Sequence, residues 1–404
     1  MFFILLTYFK ISLIIIILFA EYYSINMLFR NTFLLVFSLL TLAGYSQNLK
    51  QTIRGSIKDE ITKQPLIAVT VQVVKGEFKQ SGQTDIDGNF RFDSLPIGRY
   101  DLSFSSIGYE PKQMNQVELT SSKELILNLE LVEKVQKTGQ ITFRAKKNKQ
   151  NTNNNSVSVS GRTFSIEESQ RYAGSRGDVA RMAQNFAGVQ GADDSRNDIV
   201  VRGNSPTGVL YRLEGVDIPN PNHFSSAGTT GGPISMLNNN VLTNSDFLSS
   251  AFPAEYGNAN AAVFDIGLRK GNNEKYEFLG QIGFAGFEGM AEGPISKKSG
   301  ASFLVNYRYS TLGVFSVLGF DFGAGTAVPQ YQDLTFNLHF PDKKGHFKLF
   351  GLGGISNVDL IQSENPAGEN LFGDDSEDIF YSTKTGVIGL SRFQRLNKKT
   401  FAKF

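Results

Sequence analysis

The sequence predicts a mixed fold in three parts: a β-sandwich, then an α+β domain, then the first antiparallel strands of a transmembrane β-barrel, left incomplete. Three observations carry this. Residues 51–131 alternate apolar and polar side chains in short runs broken by turn residues. Residues 156–271 mix short helical patterns with short strand patterns. Beyond residue 271, period-two runs of about ten residues recur, apolar to one side and polar to the other, which is the signature of membrane-crossing strands.

Composition bounds the function. With 404 residues there is room for two or three domains. The formal net charge of +2 makes no field that would gather nucleic acid, so no nucleic-acid partner is expected. The absence of cysteine excludes disulfides, cysteine zinc sites, a thiol nucleophile and a lipid-anchored cysteine. Abundant Phe and Gly without Trp suit a β protein, a membrane barrel included.

Residues 1–46 hold two apolar runs. The second reads as a signal peptide at 27–46: Met27 starts it, Arg30 makes the positive region, residues 33–42 the apolar stretch, and Gly44 and Ser46 suit cleavage before Gln47. That run is too short to span a bilayer. Residues 1–26, with Lys10 as the one charge up to residue 20, are expected to be an upstream extension from a misplaced start codon; a membrane anchor is the alternative.

The sandwich is placed at 48–132. Its clearest runs are 52–57, 67–74, 89–92, 100–104 and 125–131, with turns at Asp87-Gly88, Pro96-Ile97-Gly98 and Gly108. About seven short strands in this length suit a sandwich. Asp85-x-Asp87-Gly88 is a hairpin turn rather than a calcium loop, because the twelfth position counted from Asp85 is Pro96 and not Glu. Residues 133–155 lose periodicity, and Lys146, Lys147 and Lys149 there keep a linker solvated.

The second domain spans 156–271. Ser165 to Glu168 form a capping box that opens a short helix. A second helix is expected over 178–187, with Val179, Met182, Ala183 and Phe186 on one face and Gly188 ending it. Strands are expected at 198–202, 209–213, 244–249 and 263–269, and a third helix at 233–239. The Gly-rich stretch 220–232 is not expected to pack as core.

In residues 272–404 the alternating runs are 276–285, 302–309, 333–340, 346–353 and 381–393. Residues 342–345 make a short turn, and the polar stretch 363–382, with Asp374, Asp375, Glu377 and Asp378, reads as a solvated external loop rather than a calcium site. These residues supply about five or six strands, where a barrel wide enough to need blocking has ~22. An open sheet would leave an unpaired edge in lipid. The chain is therefore expected to be a piece of a longer gene product, cut inside the barrel; the aromatic Phe404 is taken as coincidence in a Phe-rich chain.

Two stretches carry a family resemblance. Residues 197–224, NDIVVRGNSPTGVLYRLEGVDIPNPNHF, and 251–271, AFPAEYGNANAAVFDIGLRKG, resemble the plug domain of a TonB-dependent outer-membrane receptor, through Arg202 and Gly203, then Glu214, Gly215 and Asp217, then Tyr256 and Gly257. Residues 84–109, TDIDGNFRFDSLPIGRYDLSFSSIGY, resemble the carboxypeptidase regulatory-like domain, through Thr84, Asp85, Gly88, Phe90, Leu95, Pro96, Gly98 and Tyr100.

The resemblance implies a receptor that binds a scarce nutrient and imports it with energy from TonB, the plug blocking the lumen until TonB displaces it. It implies the outer membrane of a Gram-negative bacterium, with the sandwich and plug on the periplasmic side. Implied partners are TonB, outer-membrane lipid, a small ligand and, as an open option, a surface lipoprotein. Val135, Gln136, Thr138, Ile141 and Phe143 are either a TonB-contacting segment that pairs by strand addition or plain linker. Lys134, Gln136 and Lys137 make this segment more polar than the family's usual junction. Arg202, Arg212, Glu214 and Asp217 either face the barrel wall or are ordinary surface charges. Asn220, Asn222, His223 and Phe224 belong to a ligand-facing loop or to a connector.

No enzyme is expected. The histidines, His223, His339 and His346, lack His-x-x-Glu spacing, and no Ser/His/Asp set or phosphate loop occurs, so no catalytic residue, cofactor or metal is assigned. The alternative function is a surface or periplasmic binding or adhesion protein that uses the sandwich as an interaction module.

Overall fold

The computed structural model describes residues 49–60, 62–134, 157, 160–164, 166–172, 174–192, 194–225, 229–283, 286–310, 329–360, 378–397 and 400–404. The signal region expected at 1–46, the linker with its TonB-contacting candidates, and residues 363–377 of the acidic loop lie outside these.

Alternation in the first part becomes seven strands: β1 (Lys50–Asp59), β2 (Thr70–Lys75), β3 (Phe78–Gln83), β4 (Asn89–Pro96), β5 (Gly98–Ser105), β6 (Lys112–Leu119) and β7 (Leu125–Leu131). They form two sheets, β4-β1-β7 and β3-β2-β5-β6. β1 and β7 run parallel, Ile53 opposite Leu125 and Asp59 opposite Leu131. Ile53, Ile57, Val71, Val73, Phe90, Phe92, Tyr100, Leu102 and Phe104 close a common core. The Asp85 side chain closes its own turn: its Oδ1 accepts from Asp87 N at 3.0 Å and Asn89 N at 2.7 Å, and Gly88 takes φ +75°.

The middle part runs β8 (Gly161–Phe164), α1 (Ile166–Arg171), α2 (Val179–Ala183), β9 (Val189–Gly191), β10 (Ile199–Val201), β11 (Val209–Leu213), β12 (Val216–Ile218), β13 (Asn222–His223), β14 (Ile234–Ser235), β15 (Ser245–Leu248) and β16 (Ala262–Ile266). Its main sheet has the order β12-β11-β16-β15-β8, and β9-β10 and β13-β14 are separate pairs. Phe264 is central to the core, stacked on Tyr211 at 5.0 Å and against Phe247 at 4.8 Å.

Two helical expectations are corrected. α2 ends at Ala183; residues 184–186 continue it only through tighter bonds such as Asn185 N to Met182 O at 3.0 Å and Phe186 N to Ala183 O at 2.9 Å. No helix forms at 233–239. There Ser235 Oγ accepts from Leu237 N and Asn238 Oδ1 from Asn240 N, so side chains take amides that a helix would need.

The last part is a meander of seven antiparallel strands in chain order: β17 (Glu277–Gly283), β18 (Gly286–Ser296), β19 (Ala301–Tyr309), β20 (Gln330–Pro341), β21 (Gly345–Leu360), β22 (Ile379–Arg395) and β23 (Phe401–Lys403). β18 is absent from the expected runs. Its three glycines and Pro294 disfavour a strand locally, yet pairing on both sides holds it extended, and the register slips between Pro294 and Ser296.

This sheet is inside-out. On β20 the polar Asp333, Thr335, Asn337 and His339 are buried, while Leu334 and Phe340 are exposed. Phe278, Ile282, Ile388 and Leu390 are also exposed, Ile388 at 72%. An apolar outer face and a polar inner one fit a sheet with lipid outside. β20, β21 and β22, at 12, 16 and 17 residues, exceed the ~9–11 needed to cross. Among the described residues no helix is long and apolar enough to cross a membrane.

The sandwich meets the segment that leads into β17 through shared charges. Glu124 accepts from Arg54 Nε at 2.7 Å and pairs with Lys275 Nζ at 2.9 Å; Asn272 Nδ2 donates to it at 3.0 Å. Burial raises the Glu124 pKa, but bonds from Lys275 and Arg54 outweigh burial and hold it below its ordinary 4.5. A depressed carboxylate stabilises above its unfolded pKa and stops doing so as pH falls through its folded value. Hydrogen-exchange protection factors at residues 272–277 are thus expected to stay constant from neutral pH down to about 5 and to fall below about 4.5. Glu124→Gln is expected to flatten that profile; an unchanged profile in the variant would assign it to other groups.

Candidate functional site

The middle domain sits on the polar inner face of the strand sheet, and the contact between them is a seam of hydrogen bonds and ion pairs. β13 and β14 place the upper part. β13 sets His223 toward β20, where its Nε2 lies 2.8 Å from Asp333 Oδ2, both side chains fully buried. Arg308 on β19 grips the same carboxylate, Nε to Oδ1 at 3.0 Å and Nη2 to Oδ2 at 2.8 Å, and donates from Nη2 to Ser235 O at 2.6 Å. One carboxylate of the wall thus joins a wall cation to a side chain of the inner domain.

Close approach here needs a small wall residue. A Cβ on Gly354 of β21 would lie 2.6 Å from His223 Cε1 and 3.0 Å from Met236 Sδ. Tyr331 packs on the His223 ring at 4.8 Å. Next to it, Phe224 N donates to Ser356 Oγ at 3.0 Å, and Tyr381 OH donates to Ser225 O.

The lower part follows the chain between β14 and β17. Glu288 Oε1 on β18 accepts from three amides: Asn238 at 2.9 Å, Asn240 at 2.8 Å and Asn306 at 2.8 Å. Arg269 forms a two-pronged pair with Glu292, at 2.7 and 2.6 Å. Glu214 accepts from Leu268 N at 2.7 Å and from Lys348 Nζ of β21 at 2.9 Å. Apolar contact with the wall rests on Met290, Leu304, Phe350 and Leu352.

Behind the seam a chain of buried amides stiffens the inner domain. Asp178 caps α2 through Ala180 N at 2.7 Å and accepts from Asn197 Nδ2 at 2.7 Å. Asn197 also donates to Asn222 Oδ1 at 2.7 Å, and Asn222 to Asn220 Oδ1 at 2.7 Å. Burial raises the Asp178 pKa against the opposing bonds from Asn197 and the capped amides.

The expectation that residues 220–224 stay out of a core is corrected: Asn220, Asn222, His223 and Phe224 are all buried and bonded. The Gly-rich composition suggested an open loop, but asparagine side chains supply the hydrogen bonds its backbone lacks. Of the charges singled out earlier, Glu214 reaches the wall. It shares with Gly215 the turn between β11 and β12, both at positive φ (52° and 95°), as a two-residue hairpin requires. Arg212 lies over the Tyr256 ring at 5.1 Å and 3.5 Å from Asp217. Arg202 donates to Ser160 Oγ at 3.4 Å, and Gly203 follows it at φ +79°. Tyr256 OH donates to Asp265 Oδ2 at 2.7 Å, and Gly257 occupies the turn beyond it.

Val135, Gln136, Thr138, Ile141 and Phe143 lie outside the described residues. Sequence reasoning did not single out Arg308, Asp333, Glu288, Glu292 or Lys348 as partners of the inner domain. The available signal was a charge in the middle of an otherwise alternating strand.

Residues 52–132 match the carboxypeptidase regulatory-like domain. The chain is 22% identical over 262 residues to the TonB-dependent transporter Oar of Myxococcus xanthus, a match over 62% of this chain and 23% of that protein. The chain thus spans about a quarter of that relative's length. Among solved structures, the siderophore receptor PirA from Acinetobacter baumannii aligns over 59% of this chain and 38% of its own, at 15% identity and a TM-score of 0.37. The outer membrane transporter YddB from Escherichia coli aligns over 59% and 37%, at 14% identity and a TM-score of 0.38. By sequence, then, residues 52–132 match a carboxypeptidase regulatory-like domain and the chain is similar to a TonB-dependent transporter.

Proposed function

We propose that the chain is the N-terminal part of a TonB-dependent outer-membrane receptor that binds and imports a scarce nutrient, its middle domain acting as a plug. The observation that carries the reading is the seam itself. A plug must seal a wide lumen yet leave it when pulled, which favours many separable polar contacts over a continuous apolar core. His223–Asp333, Ser235–Arg308, the Asn238 and Asn240 amides on Glu288, Arg269–Glu292 and Glu214–Lys348 are contacts of that kind, and water can replace each of them once the domain moves. No covalent chemistry belongs to this role.

In this reading the outer membrane is that of a Gram-negative bacterium, and the sandwich and plug face the periplasm. TonB pairs with the segment that holds Val135, Gln136, Thr138, Ile141 and Phe143. Outer-membrane lipid covers the apolar face, and a small ligand and a surface lipoprotein are the remaining partners.

The test needs no known ligand. Residues 156–271 are deleted from the intact receptor, and outer-membrane permeability to a large polar antibiotic such as vancomycin is measured in whole cells. The expected result is sensitisation in cells that carry the folded deletion variant. Folded barrel without sensitisation would remove the plug role and favour the binding or adhesion reading.

A further inference from the structure

Below the seam, between the sandwich and the mouth of the strand sheet, lies a cavity of about 950 Å³. Its walls come from the sandwich, the segment between β16 and β17, and the lower ends of β19 to β21. The cations that line it are Arg54, Arg91, Lys123, Arg269, Lys270 and Lys348; the carboxylates are Asp85, Glu124 and Glu274. The pairing leaves two charges over. Arg54 and Lys275 share Glu124, and Arg54 and Arg91 share Glu274. Arg269 is taken by Glu292 and Lys348 by Glu214. Asp85 is spent on its turn amides. Lys123 and Lys270 line the cavity with no ion pair among the described residues. His339 also lines it, buried, with Nε2 lacking a hydrogen-bond partner.

We propose that this cavity binds an oxyanion of the phosphate or sulfate class, held by the ammonium groups of Lys123 and Lys270 that line it. Residues 135–155 do not suit the site as occupant, because Lys137, Arg144, Lys146, Lys147 and Lys149 make them basic. Two cations without an ion pair among the described residues line one cavity, and an oxyanion there gains charge-assisted hydrogen bonds from them.

The titration of the two lysines agrees. Burial, then the Arg269 charge, lowers Lys123 to about 8. Glu292, Glu277 and Glu288 face it and oppose the shift. Glu292 is held by Arg269, Glu277 accepts from Glu124 N, and Glu288 holds its three amides. Burial, then Lys348 and Lys58, lowers Lys270 to about 8, with Glu214 opposing. A bound dianion favours both ammonium forms, so affinity should fall as pH rises through about 8. Sulfate is the suitable probe, because it does not titrate in this range.

The experiment is calorimetric titration of sulfate into the intact protein in neutral-lipid nanodiscs at pH 7 and pH 9. Saturable binding is expected at pH 7, weakened about tenfold or more at pH 9 and in Lys123→Met/Lys270→Met. It is expected to be unchanged in Lys79→Met, an exposed control on β3. Where the double variant does not fold, acetylation of the wild-type protein serves: sulfate should protect Lys123 and Lys270 selectively. Native mass spectrometry distinguishes the source. Phosphatidylglycerol retained by wild type, lost in the double variant and displaced by sulfate would mean a lipid headgroup; sulfate binding without such retention would mean a free anion. Both outcomes support the site. Absence of saturable sulfate binding and of selective protection would overturn it, as would equal affinity in the double variant.

Discussion

Asp333→Ala is expected to loosen the middle domain from the strand sheet more than any other single change in the seam. Asp333 is fully buried and answers two donors, His223 Nε2 at 2.8 Å and the Arg308 guanidinium at 2.8 Å. Its removal leaves a largely buried guanidinium whose remaining hydrogen-bond acceptor among the described residues is Ser235 O. Stranding one member of a buried charge pair costs about 3–5 kcal/mol, most of it desolvation that is no longer compensated. Hydrogen exchange at residues 220–225 and 229–236 reads this directly. If those residues exchange through opening of the seam, about 3 kcal/mol corresponds to a rise of roughly 150-fold. Asp333→Asn keeps an acceptor for Arg308 and should cost less. Unchanged exchange in Asp333→Ala, with the strand sheet intact, would mean that the seam is held elsewhere.

Phe264→Ala is expected to unfold the middle domain while sparing the sheet. The Phe264 ring is fully buried and meets Tyr211, Phe247 and Phe164 at centroid distances of 5.0, 4.8 and 6.5 Å. It also lies on β16, the strand between β11 and β15, so the void would open beneath the centre of the domain's main sheet. Truncating a buried Phe to Ala costs about 3–5 kcal/mol, because surrounding rings only partly collapse into the space. That is a large share of what a domain of this size has to spare. Brief proteolysis at native temperature should cut within residues 160–270 in the variant and not in wild type, and the strand sheet should remain protected. Equal resistance in both would show that wall contacts alone hold the domain folded.

The proposed oxyanion cavity and the proposed plug are independent. The cavity rests on Lys123 and Lys270 and on walls drawn from three parts of the chain. The plug reading rests on the seam above it. Loss of sulfate binding with an intact permeability barrier would separate the two.

Much of the strand architecture was legible in advance, because side-chain alternation is local. Residues 302–309 and 333–340 announce β19 and β20 by their own pattern, and a strand with one polar and one apolar face needs no distant partner to be recognised. The Asp85 turn was equally legible, since an Asx side chain and a following glycine act within a few residues. Failures came where distant contacts outweighed local preference. β18 is absent from the expected runs, since its glycines and Pro294 disfavour a strand locally, and neighbouring strands hold it extended. Residues 233–239 read as helix, and asparagine and serine side chains turn the backbone toward Glu288 and Arg308 instead.

By itself, then, the sequence determined the order of sandwich, α+β domain and inside-out strands, together with turns whose donors and acceptors lie within a few positions. Only the tertiary structure decided who meets whom across the seam. His223 and Asp333 are 110 positions apart, and Glu214 and Lys348 are 134 apart. Nothing in either neighbourhood specifies the other. An ion pair depends on where two charges come to rest, and that is set by how the sheet curves around the inner domain and how much water both give up on meeting.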